Sequence, residues 1–373
     1  MKLPVEYPVL PSMVHTGGGK RVLVFSSHIM CPLVILLSLS FLYLITPQLL
    51  LFQRKPVSRN VALHQPLPDN VLFVKAVRVS QIRHRKHSCC KHKTEPPKIA
   101  FLFLTNSDLS FYPLWERFFR SGNPSLYNVY VHADPYAPVK TPPSEVFKMQ
   151  YIPARRTCRG SPSLIAAERR LLARAIIDDP SNLYFALISQ HCVPLHSFNY
   201  AYNFLFPRES NSRFPKSFIE IISSDPNLPD RYNARGENVM LPEVPFSEFR
   251  VGSQFFVLAK RHAIAVLRDR KLWRKFKLPC LNLDSCYPEE HYFPTLLSLE
   301  DPNGCSGFTL TNVNWTGSFD GHPHLYQPHE VSGKLVHRLR RSNSSYSYLF
   351  ARKFAPDCLQ PLMQIADDVI FRD

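Results

Sequence analysis

From Lys98 onwards the chain alternates two kinds of apolar pattern, and this alternation narrows its fold more than any other feature. "IAFLFLT" (99–105) is a continuous apolar run of strand length, as expected of a strand covered on both faces. "YPLWERFFRSG" then places Leu114, Trp115, Phe118 and Phe119 at helical spacing, behind Pro113 and ahead of Gly122. A second strand-like run, "NVYVHAD" (128–134), precedes "SPSLIAAERRLLARAIIDDP". There Ser161 and Pro162 supply an N-cap and a first-turn residue, and Asp179-Pro180 ends the helix. "YFALISQ" (184–190) is a third strand. Strand, helix, strand, helix, strand predicts a parallel sheet with crossover helices. Further strands are expected at 217–223, 254–260 and 308–315. Residues 98–373 are therefore read as one α/β domain with a loop-rich second half.

Open α/β sheets take ligands at the carboxyl ends of their strands. Those ends read Thr105-Asn106-Ser107, His132-Ala133-Asp134 and Ser189-Gln190-His191. Such clustered polar groups suit a nucleotide or a sugar, although any strand end turns polar on reaching solvent. No glycine-rich loop follows the first strand, which disfavours a dinucleotide-binding enzyme and a P-loop NTPase.

"CYPEEHYFPTLL" (286–297) sets Glu289 beside Glu290. Pro288 is a favoured first helical residue, so both carboxylates are expected in a first turn, where the helix dipole stabilises them by roughly 0.3–1 kcal/mol. Neighbouring helical residues point about 100° apart, so one of the two faces a given pocket. Pro294 cannot donate to the Glu290 carbonyl, and a kink is expected there. Glutamate in a first turn is also ordinary helix chemistry. The pair does not fit a glycosidase, whose two carboxyl groups stand roughly 5–10 Å apart across the scissile bond.

Between Arg21 and Arg54 no residue is charged, and residues 29–52 form an apolar run of 24. About 20 such residues span a bilayer as a helix. The run starts too late and continues too long for a cleaved signal peptide. The expected order is a short tail (1–28), a signal anchor (29–52), a stem (53–97) and the domain (98–373). The formal charge of +16 suggests nucleic acid, but residues 53–98 carry 11 Lys and Arg against Asp69 and Glu95. Most of the excess thus belongs to a solvated basic stem, and no nucleic-acid partner is expected. His84, His87, Cys89, Cys90 and His92 in that stem match no standard zinc spacing. Flanking charges do not orient the anchor. Eight of nine cysteines follow it, as do the sequons at Asn314 and Asn343. Both lean towards an oxidising, lumenal compartment, and the cysteine pairing stays open.

Anchor, basic stem and lumenal α/β body together have the build of a Golgi glycosyltransferase. The chain resembles the core-2/I-branching β-1,6-N-acetylglucosaminyltransferase family (glycosyltransferase family 14), in its plant branch. The similar stretches run in order: "IAFLFLTNSDLSFYPLWERFF", "YNVYVHADP", "AERRLLARAIID", "YFALISQHCVPL", "MLPEV", "GSQFFVL", "PEEHYFPTLL" and "YLFARKFAP". The chain departs from the family pattern at Glu289, usually Asp, and at "TCRG" (157–160), commonly "EWG". The resemblance implies a glycosyltransferase-A-like, Rossmann-like fold and a Golgi type II membrane protein. It would move a sugar, N-acetylglucosamine or a related one, from a UDP-sugar to a glycan acceptor with inversion. Glu290 matches the general base, while Glu289 would support the turn. Lys353 and Arg352 match the segment that neutralises the diphosphate without a metal, and Arg338 or Arg340 is a looser second cation. His132 and Asp134 are placed on the donor side. Glu243 and Trp315 match acceptor-binding positions, and a glycan on Asn314 would crowd Trp315. A second reading keeps the fold without turnover, as a membrane-anchored glycan-binding pseudoenzyme.

Overall fold

A computed structural model describes residues 67–87, 95–208, 215–318 and 321–373. The expected tail and anchor (1–28 and 29–52) lie outside these residues. Among the described residues no helix is long and apolar enough to cross a membrane.

The chain order opens with α1 (Asp69–His87), β1 (Lys98–Thr105), α2 (Tyr112–Arg120), β2 (Tyr127–Ala133), α3 (Pro162–Asp178) and β3 (Asn182–Ser189). It continues with β4 (Val193–Pro194), α4 (Phe198–Leu205), β5 (Ser217–Glu220), α5 (Leu228–Asn233), β6 (Val257–Ala259) and α6 (Lys260–Arg268). Then follow α7 (Lys271–Phe276), α8 (Tyr292–Glu300), β7 (Cys305–Gly307), β8 (Thr311–Val313), α9 (Gly333–Arg340), β9 (Phe350–Arg352) and α10 (Leu359–Gln364).

Six strands form one sheet in the order β2-β1-β3-β6-β5-β7. The first three pair in parallel, with Phe101 opposite Val129 on one side and Ala186 on the other. β1 is buried along nearly its whole length, as its unbroken apolar run requires. Ser161 caps α3 by accepting from the Ser163 amide, so the Ser-Pro start acts as its sequence predicts. Beneath the sheet, Phe101 and Phe103 pack edge-on against Trp115, Phe118, Phe119 and Phe147 of the α2 side. A smaller sheet, β4-β9-β8, is laid on by pairing Val193 with Ala351.

Three expectations change. The sheet is mixed, because β6 runs antiparallel to both β3 and β5. The strands foreseen at 217–223, 254–260 and 308–315 shrink to three or four residues each. Part of the expected solvated stem is instead α1, which buries Leu72, Phe73 and Ala76. Asp69 at its start pairs with the buried Arg170, and Arg169 lies 4.7 Å over the Phe73 ring.

Candidate active site

The carboxyl ends of β1 and β3 meet where the Gln190 amide donates to Asn106 at 2.8 Å. Beyond them lies a cleft of about 330 Å³, lined by residues 104–106, Thr157, Arg159, residues 189–191, Gln254, Phe255, Tyr287, Glu289, Glu290, Trp315, residues 321–323, Arg352 and Lys353 among others. This is the switch-point location expected of an open α/β sheet.

Both glutamates reach the cleft. A disulfide, Cys280–Cys286, closes the loop ahead of Tyr287, and Pro288–Glu290 is a single 3-10 turn. α8 begins only at Tyr292, so Pro294 falls in its first turn and introduces no kink. The Glu290 carbonyl that Pro294 leaves unserved accepts from the Gly252 amide at 2.9 Å. Glu290 Oε2 accepts from Arg231 Nη1 at 2.7 Å. Burial raises the Glu290 carboxyl above its ordinary value, while Arg231, then Arg352 and Arg159, oppose that rise. His291 is fully buried and stacks on Phe249 at 4.6 Å. Its Nδ1–H donates to the Arg250 carbonyl at 2.9 Å, which leaves Nε2 facing Arg231 Nη1 at 3.4 Å. Burial pushes this imidazole down to about 3, so it stays neutral. The Glu-His pair thus works through Arg231: the histidine helps aim the guanidinium and the guanidinium holds Glu290.

Glu289 has another environment. It is 5 % exposed, and Oε1 accepts from the Gly160 amide at 3.3 Å, while Oε2 has no partner. Desolvation raises it to about 7. The side chain ties the 157–160 turn to the 288–290 turn.

Three cations share the cleft. Arg352 lies 4.4 Å over the Phe255 ring, and its Nε has no hydrogen-bond partner. The Lys353 ammonium has no ion-pair or hydrogen-bond partner among the described residues. Burial, then Arg352 and Arg159, hold its amine below the ordinary value. Arg159 donates to the Gly321 carbonyl and contacts His322 Nε2, each at 2.9 Å. His191 fixes this end, since Nδ1–H donates to the Phe354 carbonyl at 3.1 Å and its own carbonyl accepts from Phe354 N at 3.2 Å. Cations that raise each other's energy in a partly desolvated cleft make a site for an anion.

Of the other expected site residues, Trp315 stands half-exposed at the cleft's lip. His132 and Asp134 are not brought to the lining. His132 is fully buried and accepts from the Arg155 amide at 3.2 Å, and Asp134 accepts from Tyr136 N, Thr157 N and Thr157 Oγ1 at 2.8–2.9 Å. Both shape the loop that carries Arg159. Glu243 lies outside the cleft lining and pairs with Lys275 at 2.9 Å. Arg340 clamps the Leu195, Val369 and Ile370 carbonyls, so the further cation is Arg159. Arg231, Gln254 and Glu168 had no separate sequence signal, whereas Arg159 sits inside the "TCRG" departure. Among the described residues no group of three or more His, Cys, Asp or Glu side chains is placed to hold a metal ion.

A relative from Oryza sativa subsp. japonica, described as Glycosyltransferase BC10, is 28% identical over 306 residues, covering 69% of this chain and 73% of its own. The model of the Core-2/I-Branching enzyme family matches residues 99–340, which include all of β1 after Lys98, both glutamates and Trp315. The chain belongs to the core-2/I-branching glycosyltransferase family.

Proposed function

We propose that this protein transfers a sugar, N-acetylglucosamine or a close relative, from a UDP-sugar to a hydroxyl of a glycan acceptor, with inversion at the anomeric carbon. The carrying observation is that Glu290 and the Arg352, Lys353 and Arg159 cations line one cleft. The acceptor oxygen attacks the anomeric carbon as its proton passes to the Glu290 carboxylate. The bond from that carbon to the diphosphate oxygen breaks, and its electron pair leaves with UDP. A base must be charged before the reaction, and Arg231 favours the charged form of Glu290 at 2.7 Å. The leaving diphosphate gathers negative charge where Lys353 and Arg352 can meet it. Trp315, half-exposed at the lip, offers an apolar ring face to an acceptor sugar. This activity is proposed to act from the Golgi lumen, behind an anchor at 29–52.

Calorimetric titration with UDP tests the donor half. Because cations fill the phosphate role here, affinity should persist in excess EDTA. Lys353→Ala should weaken UDP by roughly tenfold to a hundredfold, since a charge-assisted bond contributes about 1.5–3 kcal/mol. Binding abolished by EDTA and restored by manganese would overturn the cation-only reading.

A further inference from the structure

Gln254 lines the cleft, yet the chemistry above leaves it without a role. Its Nε2 donates to Glu168 Oε1 at 2.7 Å. Glu168, on α3, is 0% exposed, has no ion-pair partner among the described residues, and its Oε2 finds no hydrogen bond. Desolvation holds this carboxyl well above its ordinary value, and its Oε1 accepts the amide N–H of Gln254. With the amide's donor end committed to Glu168, Oε1 of Gln254 remains as an acceptor on the cleft side.

The segment carrying Gln254 is pinned at both ends by the two halves of the proposed reaction. Gly252 N donates to the Glu290 carbonyl at 2.9 Å, and the Phe255 ring carries Arg352 at 4.4 Å. Ser253 N is held by Glu220 Oε2 at 2.9 Å. Gln254 therefore lies on the segment that joins the Glu290 turn to the Arg352 side, and it lines the same cleft as Glu290, Arg352 and Lys353. We propose that Gln254 is a specificity-determining residue that accepts a hydrogen bond from a hydroxyl or amide N–H of the donor sugar, with Glu168 as the positioning residue that sets its orientation. This inference rests on the donor reading above.

The test compares UDP with UDP-glucose and UDP-N-acetylglucosamine by calorimetry on the full chain. Gln254→Leu should leave UDP affinity within about twofold. The tighter of the two UDP-sugars should weaken roughly fivefold to tenfold, the worth of one hydrogen bond. Glu168→Gln keeps an accepting carbonyl and should keep that affinity, whereas Glu168→Leu should repeat the sugar-selective loss. Unchanged UDP binding reports that each variant is folded, and Gln254→Asn, at a partly buried position, withdraws the amide from the cleft and should repeat the sugar-selective loss. Equal losses for UDP and UDP-sugar, or no loss at all, would overturn the role of Gln254 while leaving the donor reading intact. An unaltered protein that binds no UDP would overturn both.

Discussion

At the residue scale the adjacent glutamates divide their work through their surroundings. Glu290 has a cation partner at 2.7 Å and one oxygen left for substrate; Glu289 is buried with no ion-pair contact among the described residues and accepts from a backbone amide. Glu290→Gln should lower turnover by roughly 10²–10⁴ while UDP affinity stays near normal. Glu289→Gln should stay active and instead alter how stability depends on pH. The native Glu289 binds its proton up to about 7, against 4.5 for an ordinary glutamate. Between those values the folded state holds more protons than the unfolded one, so stability is fully present below pH 4.5 and declines as pH rises through 7. Each pH unit across that window costs roughly 1.4 kcal/mol, which comes to about 3 kcal/mol by pH 8. Urea unfolding at pH 5 and pH 8 should show a smaller difference for Glu289→Gln than for the unaltered protein. An unchanged difference would show that Glu289 titrates normally, and a Glu289→Gln protein that is the inactive one would reassign the base.

At the element scale, what was legible in the sequence is what local pattern alone determines. β1 and β3 read correctly because a strand covered on both faces shows as an unbroken apolar run, and α3 because Ser161-Pro162 and Asp179-Pro180 bracket it. The Glu289-Glu290 turn was legible as a motif but not in its geometry, since the 3-10 turn and the later start of α8 go with Gly252 reaching the Glu290 carbonyl. Arg231 and Gln254 were not legible, because their meaning lies in partners 59 and 86 residues away. α1 was hidden for a similar reason: its positive charge spoke for solvent, while Leu72, Phe73 and Ala76 find their partners only in the folded body. Gly252 turns this long-range dependence into a measurement. A Cβ there would overlap the Glu220 carbonyl, backbone that cannot swing aside. Gly252→Ala should destabilise the fold by about 1–3 kcal/mol, as overpacking does. Displacing the segment that holds Glu290 should also lower turnover beyond that loss. A Gly252→Ala protein with an unchanged denaturation midpoint and rate would show that the segment is not tightly pinned.

At the scale of the whole molecule, the disulfide, the sequons and the apolar run each bear on the compartment. Cys280–Cys286 closes the loop leading into the Glu289-Glu290 turn, and such bonds persist in oxidising compartments. Asn343 is exposed in a serine-rich loop, open to an oligosaccharide. Asn314 is half-buried: its Oδ1 accepts from Thr316 N at 3.0 Å and its carbonyl from His324 N at 2.8 Å, beside Trp315 at the cleft's lip. A glycan at Asn314 would disturb that turn and crowd the cleft's lip, so one glycan, on Asn343, is expected. Treatment with an N-glycan-releasing enzyme should lower the apparent mass of the unaltered protein. Asn343→Gln should abolish that shift and Asn314→Gln should leave it. In intact vesicles, added trypsin should spare the body from about residue 67 onwards until detergent is supplied. Digestion of the body without detergent, together with no glycan on either asparagine, would place it on the cytosolic face and overturn the lumenal assignment.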